Sequence, residues 1–133
     1  MNEGGFKTKL RGLLKKHIYI QSMTSYATNG TPDLWISAKL DLWLEVKFEP
    51  LLKSKVKPKL SPLQTKWLND RHNEGRHVAV IVGVTSSRAA LFLNGTWNDH
   101  SSNIKPLTDV IDDLLFLVTN KHEAVNVQAT DIS

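Results

Sequence analysis

His77-Val78-Ala79-Val80-Ile81-Val82-Gly83-Val84 is a nearly unbroken apolar run. A strand of this kind is buried on both faces, so it belongs in the middle of a sheet with cover on each side. The rest of the chain supplies that cover. Phe6, Leu10, Leu13 and Leu14 recur at helical spacing and predict a helix over 3–16. A second helix is expected over 62–73. It opens on Ser61-Pro62-Leu63-Gln64, a capping box with proline at the first helical position, and Gly75 stops it. Its expected buried stripe is Leu63, Trp67 and Leu68. A third helix over 107–119 turns Leu107, Val110, Ile111, Leu114, Leu115 and Val118 inward. Further strands are expected near 18–25, at 33–37, at 41–48 and at 88–93, the last closed by Asn94-Gly95. Ala27-Thr28-Asn29-Gly30 reads as a loop. This order gives an α/β domain with a mixed central β-sheet flanked by helices. Residues 1–119 make up that single domain. Residues 120–133 lack an apolar stripe and read as a flexible tail.

Leu42-Trp43-Leu44-Glu45-Val46-Lys47-Phe48 alternates strictly. Side chains on a strand repeat with period two. Leu42, Leu44, Val46 and Phe48 therefore share one face, and Trp43, Glu45 and Lys47 the other. Asp33 begins the preceding strand, just after the turn-forming Gly30-Thr31-Pro32. If the two strands pair as a hairpin, Asp33 approaches Glu45 and Lys47. Converging carboxylates repel each other unless a cation joins them. Oxygen-only ligands suit Mg²⁺, which keeps several waters and accepts phosphate oxygens. A lysine beside the pair can orient or deprotonate an attacking water. These are the parts of metal-assisted phosphodiester hydrolysis. The plain alternative is a solvated strand edge, where Glu-x-Lys is common; a face that also carries tryptophan counts against it.

Two more residues have double readings. Glu3 lies three residues before Phe6 and seven before Leu10, so it projects from the same helix face. Turned inward, its carboxylate would need a partner such as a metal. A glutamate in a first turn also simply favours the positive end of the helix dipole. Gln64 completes the capping box, which by itself accounts for an amide at that place. Beyond Phe48, Lys53, Lys55, Lys57 and Lys59 alternate with Ser54, Val56 and Pro58. In an extended chain these ammonium groups point one way, toward nucleic-acid phosphates or toward solvent. Lys66, Arg71 and Arg76 lie where they could widen that patch.

Composition removes other chemistries. The chain has 133 residues, 41% hydrophobic and 23% charged, enough for a core of its own. A net charge of +4 agrees with a nucleic-acid partner without requiring one. The absence of cysteine excludes disulfides, thiolate zinc sites and a cysteine nucleophile, and fits a reducing cytoplasm. His17, His72, His77, His100 and His122 lack zinc-like spacing. There is no phosphate-binding glycine loop, hence no nucleotide cofactor, and no nucleophile elbow. No signal peptide or membrane span is expected. Trp35, Trp43, Trp67 and Trp97 suit core or sheet-face packing better than base stacking.

Gly30-Thr31-Pro32-Asp33, Leu44-Glu45-Val46-Lys47 and Leu60-Ser61-Pro62-Leu63-Gln64-Thr65-Lys66-Trp67-Leu68, with Gly75 and the strand after it, resemble the PD-(D/E)XK nuclease superfamily. Within it the chain looks most like the VRR-NUC group and small stand-alone phage nucleases of the Holliday-junction-resolvase kind. The resemblance runs from Glu3 to about Val84. It implies a restriction-endonuclease-like core. It implies a divalent-metal-dependent DNA endonuclease that leaves a 5′-phosphate and selects branched DNA such as four-way junctions. By the same resemblance Asp33, Glu45 and the Val46 backbone carbonyl are ligands of Mg²⁺, with Mn²⁺ as a substitute. Lys47 is then the catalytic lysine and Gln64 reaches the active site. Glu3 matches the place of a further acidic ligand on the first helix. Lys53, Lys55, Lys57, Lys59 and Lys66 would meet DNA. A homodimer is implied, as is the cytoplasm, that of the host for a phage-encoded chain. Two other readings stand beside this one. A non-catalytic nucleic-acid-binding protein on a nuclease scaffold is opposed by the intact Asp33, Glu45 and Lys47. A sequence-specific restriction-type enzyme is opposed by the lack of room for a recognition domain.

Overall fold

Every strand of the sheet lies beside its neighbour in sequence. The computed structural model describes residues 1–24, 29–50 and 54–119. Lys53 and the expected tail lie outside the described residues, as do half of the expected loop and the end of the first expected strand. The elements are α1 (Glu3–Leu14), β1 (Tyr19–Ser22), β2 (Leu34–Ser37), β3 (Asp41–Phe48), α2 (Pro62–Asn73), β4 (Val78–Thr85), β5 (Arg88–Phe92), β6 (Ile104–Pro106) and α3 (Leu107–Thr119). The six strands pair in the order β1-β2-β3-β4-β5-β6. All pairs are antiparallel except β3 and β4. Parallel neighbours need a crossover connection, and α2 lies on it. The result is an α/β fold with a mixed sheet flanked by three helices.

Strand alternation divides the core in two. Leu42, Leu44 and Val46 of β3 and Ala79 and Ile81 of β4 face α1 and α3, where Phe6, Leu10, Leu14, Val110 and Leu114 are buried. Val78, Val80, Val82 and Val84 face the other way, toward Leu68 of α2 and the fully buried Trp97. The indole of Trp97 donates to Asn69 Oδ1 at 2.9 Å, which satisfies its one polar atom. β4 is thus buried on both faces, as its composition predicts. Gly83 is what lets α1 seat. A Cβ there would stand 2.5 Å from Cε1 of Phe6. Phe6 fills that gap and leans on Phe48, with ring centroids 5.8 Å apart.

Four expectations change. β1 is shorter than predicted, and Tyr19 on it is 59% exposed, because an edge strand buries little. Leu63 is exposed rather than buried. α2 turns Gln64, Trp67, Leu68 and Arg71 to the sheet, and Leu63 falls on the flank of that stripe. β6 was not predicted, since three residues ending in proline carry no periodic signal. The lysine loop is pinned by a two-way backbone bridge between Val56 and Ser101. Val56 and Pro58 are buried there, while Lys55, Lys57 and Lys59 are exposed. No described helix is long and apolar enough to cross a membrane.

Gly83→Ala should therefore lower the unfolding free energy by about 1–3 kcal/mol through overpacking against Phe6. Urea unfolding of the single variants and of Gly83→Ala with Phe6→Leu would show part of that loss recovered in the double variant. Simple additivity would mean that the two residues do not oppose each other.

Candidate active site

Leu34 pairs with Leu44 across the β2–β3 ladder, so one step outward Asp33 stands opposite Glu45. Residues directly opposite on an antiparallel pair share a face. Asp33 is fixed to that position by the backbone. Its Oδ2 accepts a hydrogen bond from the Val46 N–H at 2.9 Å. A backbone hydrogen bond from Asp33 in turn reaches the Glu45 carboxyl. Glu45 is 2% exposed, and it alone is a buried charged residue among those described. Lys47, two residues along β3, lies on the same face. Its Nζ is 3.6 Å from Glu45 Oε2, and its side chain is only 14% exposed.

Gln64 joins this group from α2. Its Nε2 donates to Glu45 Oε2 at 2.9 Å. Its Oε1 accepts from the Ser61 N–H at 2.9 Å, while Ser61 Oγ accepts from the Gln64 N–H at 3.1 Å. One amide thus completes the capping box and grips the carboxyl, each end meeting the partner its chemistry requires. The sequence left these two roles as alternatives; the geometry contains both contacts. Gly30 brings the helix within reach. It adopts φ +80°, and a Cβ would collide with the Leu63 carbonyl oxygen. The turn before Asp33 therefore lies flush against the first turn of α2.

The Glu45 carboxyl does not behave as an ordinary glutamate. Burial pushes its pKa from 4.5 up to about 8, and the charge of Asp33 adds to the push. Lys47 and the backbone hydrogen bond from Asp33 oppose it, and Glu3 adds a small upward contribution. Glu3 reaches the site only by this field. It is exposed in the first turn of α1, which Asn2 caps. Among the described residues no three His, Cys, Asp or Glu side chains gather in a metal-holding group. Asp33 and Glu45 meet as a pair; Glu3 stands outside it.

Lys7 is the residue that sequence reasoning missed. Its Nζ donates to Asp33 Oδ1 at 2.9 Å across a separation of 26 residues. The available signal was its place one turn after Glu3, on a face adjoining the Phe6 stripe. The basic residues proposed for nucleic acid are divided. Lys55 and Lys57 face solvent. Lys59 is 3.3 Å from Glu49, Lys66 pairs with Asp70 along α2, and Arg71 and Arg76 both pair with Glu74. Beside the carboxylates, Tyr19, Trp35, Trp43 and Trp67 form a row of rings with centroids 5.4–6.2 Å apart, and Arg71 lies over Trp67. No protein-family model and no curated protein matches this chain.

The raised pKa sets a pH dependence. In the unfolded chain Glu45 ionises near 4.5, whereas in the fold it keeps its proton to about 8. Between these values the folded state holds the extra proton. Its stability must then fall as pH rises, by up to about 1.4 kcal/mol per pH unit, and level off above the folded pKa. Urea unfolding from pH 5 to 9 in EDTA should show this slope, and Glu45→Gln should remove it. Parallel profiles for the two proteins would refute the assignment.

Proposed function

We propose that this chain is a divalent-metal-dependent DNA nuclease on a restriction-endonuclease-like core. The observation that carries the reading is the buried Glu45 set opposite Asp33, with Lys47 3.6 Å away and Gln64 holding its Oε2. Burying two facing carboxylates is costly unless positive charge is brought to them. The donor set fits a hard cation. Asp33, Glu45 and the Val46 carbonyl would hold it, all through oxygen, with waters completing the shell as Mg²⁺ and Mn²⁺ commonly allow. When bound, the ion supplies Lewis-acid polarisation of a phosphoryl oxygen.

The chain's own residues do the rest. Glu45 must ionise to become a ligand, so loading at neutral pH releases a proton. Gln64 stops the Glu45 carboxylate from turning. Lys47 presents a nearly buried ammonium to the charge that develops on the phosphoryl oxygens, where low exposure makes it effective. Lys55, Lys57 and Lys59 project from a loop that Val56 and Pro58 anchor, and they take flanking phosphates of the DNA backbone. Branched DNA as substrate, a 5′-phosphate product, a homodimer and a cytoplasmic setting rest on the resemblance alone.

Linear, nicked, flapped and four-way DNA incubated with Mg²⁺, Mn²⁺ or EDTA tests the activity. Asp33→Asn and Glu45→Gln should each cost about 100-fold or more in cleavage while keeping the fold and DNA binding. Near-wild-type turnover in either would sink the assignment. Lys47→Ala should lower the single-turnover rate at saturating DNA with little change in affinity. A loss confined to affinity would make Lys47 a phosphate contact only.

Changing Lys55, Lys57 and Lys59 together to serine should reduce the log K against log salt slope by up to about 2.7, at roughly 0.9 per phosphate. An unchanged slope would move the DNA surface away from this loop.

A further inference from the structure

Asp33 has two carboxylate oxygens, and both have partners. Oδ2 is held by the Val46 N–H and Oδ1 by Lys7 Nζ, each at 2.9 Å. Lys7 is not a stray surface lysine. Its neighbour Phe6 is fully buried in the gap left by Gly83, so α1 is fixed and delivers the Lys7 ammonium to one place. The ion pair is itself shielded, with side-chain exposures of 23% and 13%. Across the site each carboxyl group has an ammonium neighbour. Lys7 sits on Asp33 and Lys47 on Glu45. Both ammonium groups are in place before any metal arrives. A dication shared by Asp33 and Glu45 would have to approach an oxygen that Lys7 covers, and to sit beside an ammonium of like charge.

We propose that Lys7 is an internal counter-ion that competes with the divalent cation for Asp33. The inference rests on the nuclease reading above. With Lys7 in place, the free protein binds the ion weakly. A phosphodiester in the site offers the displaced ammonium a new anionic partner and offsets part of the positive charge that the ion adds. Ion and nucleic acid then strengthen each other's binding, and by linkage the coupling is reciprocal. Lys7 is in these terms a positioning residue. It sets when the ion loads and takes no part in bond breaking.

Mn²⁺ binding to the 133-residue chain, read by electron paramagnetic resonance of the free ion, tests this without any turnover. The comparison is wild type, Lys7→Gln, Lys7→Met, Lys7→Arg and Lys16→Gln, each with and without a phosphorothioate duplex that resists hydrolysis. Lys7→Gln and Lys7→Met should bind Mn²⁺ about tenfold tighter than wild type in the absence of DNA, a difference of about 1.4 kcal/mol. They should also lose most of the DNA-induced gain. Lys7→Arg keeps the charge and should stay weak. Lys16→Gln removes an equal charge from the far end of the same helix region and should match wild type. Thermal melts of the metal-free proteins confirm that the variants fold, and the two neutral substitutions guard against failure of one.

Equal or weaker Mn²⁺ binding by both neutral variants would overturn the proposal while leaving the nuclease reading in place. Tightening by Lys16→Gln to the same extent would overturn it too, as a general charge effect. If wild type and all variants fail to bind Mn²⁺ even with DNA, and DNA stays uncut in Mg²⁺, the nuclease reading falls and this inference with it.

Discussion

The burial of Glu45 is the constraint around which this structure is arranged. A carboxyl at 2% exposure in the middle of a sheet must be neutralised, hydrogen-bonded or paired. The surroundings offer all three. Burial and Asp33 hold the proton on, Gln64 donates to one oxygen, and Lys47 stands within reach of the same oxygen. Lys47 lies on the same strand as Glu45, whereas Asp33 and Gln64 come from other segments. These contacts are complete only when β2, β3 and α2 are together.

Two glycines make that assembly geometrically feasible. Gly83 opens the sheet surface to Phe6, which locks α1 over β3 and β4 and brings Lys7 to Asp33. Gly30 lets the turn before Asp33 lie against α2, which brings Gln64 to Glu45. One works through the absence of a side chain on an ordinary strand. The other also needs a positive φ. The two helices that carry site residues approach from opposite faces of the sheet and meet the same pair of strands.

The cover on the α2 face is uneven, and the aromatic side chains make up the difference. Leu68 and Trp97 close the part over β4 and β5. Toward the β1 edge, the rings of Trp67, Trp43, Trp35 and Tyr19 continue the layer one after another. Trp35 and Trp43 face each other across β2 and β3, and so stiffen the same ladder that sets Asp33 opposite Glu45. Cross-strand aromatic pairs of this kind stabilise an antiparallel register by a few tenths to about 1 kcal/mol each. Register matters here more than the energy, because a slip of one residue would turn Glu45 into the α1 side and Val46 into the site.

Much of this was written locally. The strict alternation of β3 determined which side chains face the core and which face the site, since period two is a property of the strand itself. The apolar run of β4 determined that it is central. The sequence Ser61-Pro62-Leu63-Gln64 determined where α2 begins, because capping needs only neighbouring residues. Asp33, Glu45 and Lys47 could be set together from the hairpin. The tertiary structure decided what depends on packing between segments far apart in the chain. It chose which stripe of α2 is buried, leaving Leu63 outside. It carried the Gln64 amide past its cap to Glu45, placed Lys7 on Asp33, and kept Glu3 out of the carboxylate pair. It also paired Lys59 with Glu49, from the other side of the loop. Periodicity fixes the direction of a side chain within its own element. The partner at the end of that direction is fixed only when another element is packed against it.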